Sequence, residues 1–111
     1  MSLANLNNAI AELEINQMCL RKDLANMSDA QLKKLQEEIQ KVRSRQDPTP
    51  SDLVNVMHQF SSRELYRIVK DAELSIKEAR VVRRVAVEKR ANGDSKAQQV
   101  IDLLDLRVLR T

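Results

Sequence analysis

Apolar side chains recur three and four residues apart through the first quarter of the chain, at Leu3, Leu6, Ile10, Leu13, Leu20, Leu24 and Met27, with Gln17 the one polar residue in the series. On an α-helix that spacing makes one narrow stripe, and a stripe so narrow is a coiled-coil seam, best buried against another helix. The pattern predicts a helix over 3–26 and assigns Leu3, Leu6, Ile10, Leu13, Gln17, Leu20, Leu24 and Met27 to self-association, as a homodimer or larger oligomer. Gln17 has a place in that reading, because a polar residue in a seam weakens packing but fixes register and partner number. Leu32, Leu35, Ile39 and Val42 repeat the pattern with the register slipped by one residue. A second helix over 29–46 therefore folds back on the first as an antiparallel hairpin, with one continuous helix carrying a register skip as the competing arrangement.

Ser28, Thr49, Ser61 and Ser95 are each followed three positions later by Gln31, Asp52, Glu64 and Gln98. These pairs have the form of capping boxes, in which the hydroxyl accepts from an exposed N–H of the first turn and the later side chain reaches back to the cap. Pro50 suits the first position of a helix, and Gly93, the sole glycine, suits the positive φ that ends one. The expected fold is all-α, with about five helices over 3–26, 29–46, 50–59, 62–91 and 96–109. It forms one domain, in which 1–47 is an oligomerising hairpin and 48–111 a helical segment built round a long basic helix.

Along that long helix Arg63, Lys70, Lys77 and Arg84 recur every seven residues, with Leu65, Ala72, Ala79 and Ala86 on the opposite side and Glu64, Asp71 and Glu78 as a solvated acidic stripe beside the cations. Past Arg80 the balance changes, since Arg80, Arg83, Arg84, Lys89 and Arg90 are opposed by Glu88 alone. Guanidinium groups match phosphate oxygens two at a time, so these five residues form the candidate nucleic-acid-binding set; a solvated helix end is the plainer explanation. Val81, Val82, Val85, Ala86 and Val87 point in nearly every direction, which calls for burial on several sides and suggests a subunit interface. Leu74 falls on the basic, outward side of the same helix, so Leu74 and Val81 are the candidate contacts to a protein partner. The valine run and Leu104, Leu106 and Val108 also have strand character, but register and composition favour helix.

Composition narrows the chemistry. Aromatic residues make up 2% of the 111 positions, which excludes base-stacking sheets, and a single glycine excludes phosphate loops and dinucleotide fingerprints. With one histidine, His58, and one cysteine, Cys19, neither a His/Cys metal cluster nor a supported nucleophile–base pair is available. No catalytic residue, metal, cofactor or small-molecule substrate is therefore expected, and the chain is not expected to be an enzyme. A helix-turn-helix fails as well, because setting Val56 and Phe60 inside would place Ser62, Arg67 and Lys70 where apolar residues are needed. No membrane span or secretory leader is evident, which leads to a cytoplasmic expectation. The net charge is only +3, but it is unevenly spread: residues 1–47 carry seven cations and seven anions, residues 61–92 nine and five. The expected function is that of a small oligomeric regulatory protein with DNA or RNA as candidate partner through the basic helix. The alternative is a protein-binding adaptor, inhibitor or assembly chaperone acting through helix–helix contacts.

Overall fold

The computed structural model describes residues 3–20, 22–46 and 48–108, and every regular element among them is helical. Helix α1 spans Ala4–Leu20 and is followed by a single 3-10 turn, Leu24–Asn26; then come α2 (Asp29–Arg43), α3 (Pro50–Met57), α4 (Ser62–Asp71), α5 (Ile76–Ala91) and α6 (Ala97–Arg107). The first expected helix thus stops six residues early, while Arg21 and Leu109, inside expected helices, lie outside the described residues.

Three of the four expected caps form. Ser28, Thr49 and Ser61 each accept from the N–H of the third residue on, and Gln31, Asp52 and Glu64 reach back to the cap N–H. The fourth does not. At α6 the cap position is Lys96, and Asp94 supplies the acceptor, its Oδ1 receiving the Lys96 N–H at 3.0 Å. The other carboxylate oxygen of Asp94 receives the Ser62 hydroxyl at 2.6 Å, so one aspartate ties the start of α4 to the start of α6. Just before it, Gly93 (φ +100°) closes α5: the Asp94 N–H returns to Lys89 O and the Gly93 N–H to Arg90 O, both at 3.0 Å, the paired bonds of a Schellman stop.

The main correction concerns 62–91, which is two helices rather than one. Ala72 is extended (ψ 145°), and Ser75 and Glu78 form a capping box that starts α5 afresh. Leu65, Ala79 and Ala86 still face one core, because both helices turn the same stripe towards it. Leu74 therefore leaves the outer helix face assigned to it: it lies in the connection, half-buried, and packs against the core.

Leu53, Met57 and Phe60 from the α3 region, Leu65, Ile68 and Val69 from α4, Ala79, Val82, Val85 and Ala86 from α5, and Val100, Ile101 and Leu104 from α6 fill that core. Helix α5 touches α3, α4 and α6. Its valines are consequently covered on several sides within one chain, and the multi-sided burial needs no second subunit. Leu3, Leu6 and Ile10 of α1 enter the same core. Complete burial of Leu6 and Ile10 favours this docking by at most about 3–6 kcal/mol. Helix α2 packs against α1, where Arg45 binds Glu14 through two bonds of 2.7 and 3.0 Å, and its Leu35 and Val42 are buried. The radius of gyration is 15.3 Å, against about 13 Å for a compact chain of this length, and the extents are 52 × 31 × 22 Å.

Glu78 joins the two parts. Expected in a solvated stripe, it is 1% exposed. One carboxylate oxygen receives the Ser75 N–H at 3.0 Å, closing the cap of α5, and the other receives the Leu6 N–H at 2.5 Å, in the first turn of α1. Both are unpaired donors of helix N-termini, which a negative charge satisfies particularly well.

Candidate interaction surface

Because Ser75 and Glu78 fix where α5 begins, they also fix which of its side chains face outward. Val82, Val85, Ala79 and Ala86 point into the core, whereas Lys77, Arg80, Arg83 and Arg84 are all exposed on the other side. On the edge towards α6, the Arg83 Nε lies 3.5 Å from Asp105 and Arg90 donates to the Gln98 side chain at 2.6 Å. On the edge towards α3, Arg84 lies 3.5 Å from Glu88, which also holds the His58 Nε2 at 2.6 Å. Arg80, midway between, has no ion pair among the described residues. Solvent-exposed pairs of this kind contribute only about 0–1 kcal/mol and open readily for a competing anion.

Lys89 does not belong to this surface. It comes nine positions after Arg80, about 180° round the helix, and its ammonium donates to the His58 carbonyl at the end of α3. The expected set of five thus separates into Arg80, Arg83 and Arg84, which share a face, Arg90, directed towards α6, and Lys89, which is turned away. Lys77, a member of the seven-residue stripe outside the expected set, joins the first three.

Helices α3 and α5 run parallel, with Pro50 and Val54 beside the first turns of α5 and His58 beside Glu88. Between them is a groove of about 550 Å³ lined by Pro50, Val54, Ile76, Val81, Lys77, Arg80 and Arg84. Its floor is apolar and its rim cationic. Val81, a candidate protein contact, is on this floor but only 7% exposed; Ile76, missed from sequence, is 51% exposed. Other clefts are smaller and more polar, two of them on α4. One, between α1 and α4, is lined by Asn5, Asn8, Glu12, Asn16, Arg67 and Asp71 among others. The other, beside the start of α4, is lined by Ser62, Arg63, Tyr66, Lys96 and Gln99.

The proposed seam divides in two. Leu3, Leu6 and Ile10 are buried in the chain's own core, Leu13 packs against it, and Gln17 donates to Glu64 of α4 at 3.1 Å. Helix α4 begins at Ser62, close to that contact, and beyond it the stripe is uncovered: Leu20 is 86% and Leu24 45% exposed, with Met27 half-buried. Cys19, beside them, is a free thiol. His58 and Glu88 form the pair described above at the surface.

Two carboxyl groups are perturbed. The Ser62 hydroxyl holds Asp94 below the ordinary aspartate range, aided by the Lys96 N–H and the charge of Lys89 and opposed by desolvation. Hydrogen bonds from Thr49 do the same for Asp52. Both aspartates serve helix starts. Among the described residues there is no group of three or more His, Cys, Asp or Glu side chains placed to hold a metal ion, and no helix is long and apolar enough to cross a membrane. No protein-family model, curated protein or solved structure matches the chain.

Proposed function

We propose that this chain is a small, non-enzymatic regulatory protein of adaptor type that holds an acidic macromolecular partner against α5. One observation carries the reading: Lys77, Arg80, Arg83 and Arg84 share the exposed face of a helix whose opposite face, Ala79, Val82, Val85 and Ala86, is buried in the core, so the cations project from a rigid support. The adjoining apolar groove favours a protein partner. Nucleic acid is the second reading, favoured by three arginines within five residues on that face. Self-association accompanies the proposal in a narrower form, confined to the exposed Leu20 and Leu24 and the half-buried Met27.

The test is binding of labelled acidic peptides and of labelled DNA and RNA, each at low and high salt, to the native chain and to R80E/R83E/R84E. Light scattering on the same samples gives the oligomeric state. Binding that falls with salt and is lost in the triple variant is expected, since each contact formed with a phosphate releases condensed counterions and exposed pairs with carboxylates are screened. Binding that survives charge reversal would remove α5 from the function.

A further inference from the structure

We propose that the groove between α3 and α5 seats an acidic amphipathic helix of a protein partner. The inference rests on the reading above that α5 is the binding element, and it adds the partner's chemistry and pose.

The floor is made by Pro50, Val54, Val81 and Ile76, and the rim by Lys77, Arg80 and Arg84. Ile76 is the first residue of α5, and half of its surface meets solvent. In water this strip gains by being covered with apolar side chains, and the covering segment must also offer carboxylates to the rim. Helices α3 and α5 run in the same direction, and the groove follows α5 from Ile76 to Arg84, which suits a rod-shaped occupant. Lys77, Arg80 and Arg84 rise about 10 Å along α5. Carboxylates three and four residues apart on a helix laid alongside have the same rise. Apolar residues at the intervening i, i+3, i+4 and i+7 positions of that helix face Ile76 and Val54. Among the described residues no carboxylate lines the groove; on α5, Glu78 is turned inward to Ser75 and Leu6, and Glu88 to His58 and Arg84. A nucleic-acid duplex satisfies the cations but presents phosphate and sugar to the floor, leaving Ile76 without an apolar cover. The two ligands therefore make opposite demands on Ile76.

The experiment measures fluorescence anisotropy of the full chain with three labelled probes. The first is a peptide of about 18 residues, five helical turns, with leucine at i, i+3, i+4 and i+7 and glutamate elsewhere. The second has the same composition scrambled to remove the apolar side, and the third is a DNA duplex. The variants are I76E and R80E/R84E. Glutamate in the first turn of a helix is favourable, so I76E keeps the fold, which circular dichroism checks. The ordered peptide is expected to bind at least about 10-fold more tightly than the scrambled one, and each variant to weaken it about 10-fold, roughly 1.4 kcal/mol. Methyl signals of Ile76 and Val81 should shift on titration. Equal affinity for the two peptides, or an ordered peptide unaffected by I76E, overturns the groove while leaving α5 as the binding element. Preference for the duplex with I76E silent overturns it in favour of the nucleic-acid reading. Binding of any probe unaffected by R80E/R84E overturns it and counts against the reading on which it rests.

Discussion

Replacing Glu78 gives the sharpest check on how the two halves of the molecule are joined. Its carboxylate receives the Ser75 N–H at 3.0 Å and the Leu6 N–H at 2.5 Å, and the side chain is 1% exposed. In Glu78→Ala both donors lose their acceptor. Ser75 is half-buried and regains a water, so its loss resembles removal of a capping interaction, about 0.5–2 kcal/mol. Leu6 is fully buried, and stranding its N–H adds about 1–3 kcal/mol. The sum, about 1.5–5 kcal/mol, is a large share of the roughly 5–15 kcal/mol that stabilises a domain of this size. Such a loss lowers Tm by about 6–20 °C, at about 4 °C per kcal/mol for a chain near 100 residues. Glu78→Gln retains the shape but turns an NH2 towards one of the two N–H donors, so it should recover no more than about half of the loss. Urea denaturation followed by circular dichroism measures both, and hydrogen exchange at Leu6 and Asn7 reports whether α1 loosens before the remainder melts. A Glu78→Ala chain within about 0.5 kcal/mol of the native protein, the range of an ordinary surface substitution, would refute the reasoning.

Two further outcomes are expected. Leu74→Asp should destabilise the chain by about 1–3 kcal/mol in the same denaturation assay, because the side chain packs against the core; unchanged stability would return Leu74 to the solvent. Asp94 has a depressed folded-state pKa, so the stability it supplies is present above the ordinary aspartate value near about 3.9 and is lost as pH falls through its folded value. Asp94→Asn should flatten the acid limb of a Tm-versus-pH profile relative to the native chain, and a limb of undiminished slope would place that acid sensitivity on other groups.

What could be read in advance follows the range over which each signal acts. Ser28, Thr49 and Ser61 were legible because a capping box is complete within four residues. Ser75 and Glu78 carry the same signature, yet the seven-residue repeat runs straight across them and masks the break; two helices facing one core preserve a repeat as well as one helix does. Lys89 was placed by nearness in sequence, although its helical angle already set it opposite Arg80. The second role of Glu78 could not be seen, because its partner is 72 residues away. Nor could Leu6 be told from Leu20. They belong to one stripe, and which is covered depends on where α4 begins alongside it. The groove needs α3 parallel to α5, a matter of packing that neither helix encodes alone.

The 72-residue separation between Leu6 and Glu78 also has a consequence in time. A ribosome adding about 5–20 residues per second takes roughly 4–14 s to travel from one to the other. Throughout that interval α1 has neither its carboxylate anchor nor the core that covers Leu3, Leu6 and Ile10. During synthesis the full N-terminal stripe is open to any apolar surface, including that of a neighbouring nascent chain, and it closes only once α5 has been made. The coiled-coil pattern so conspicuous in the sequence is thus most available for association before the protein is finished, and after folding only its outer end remains.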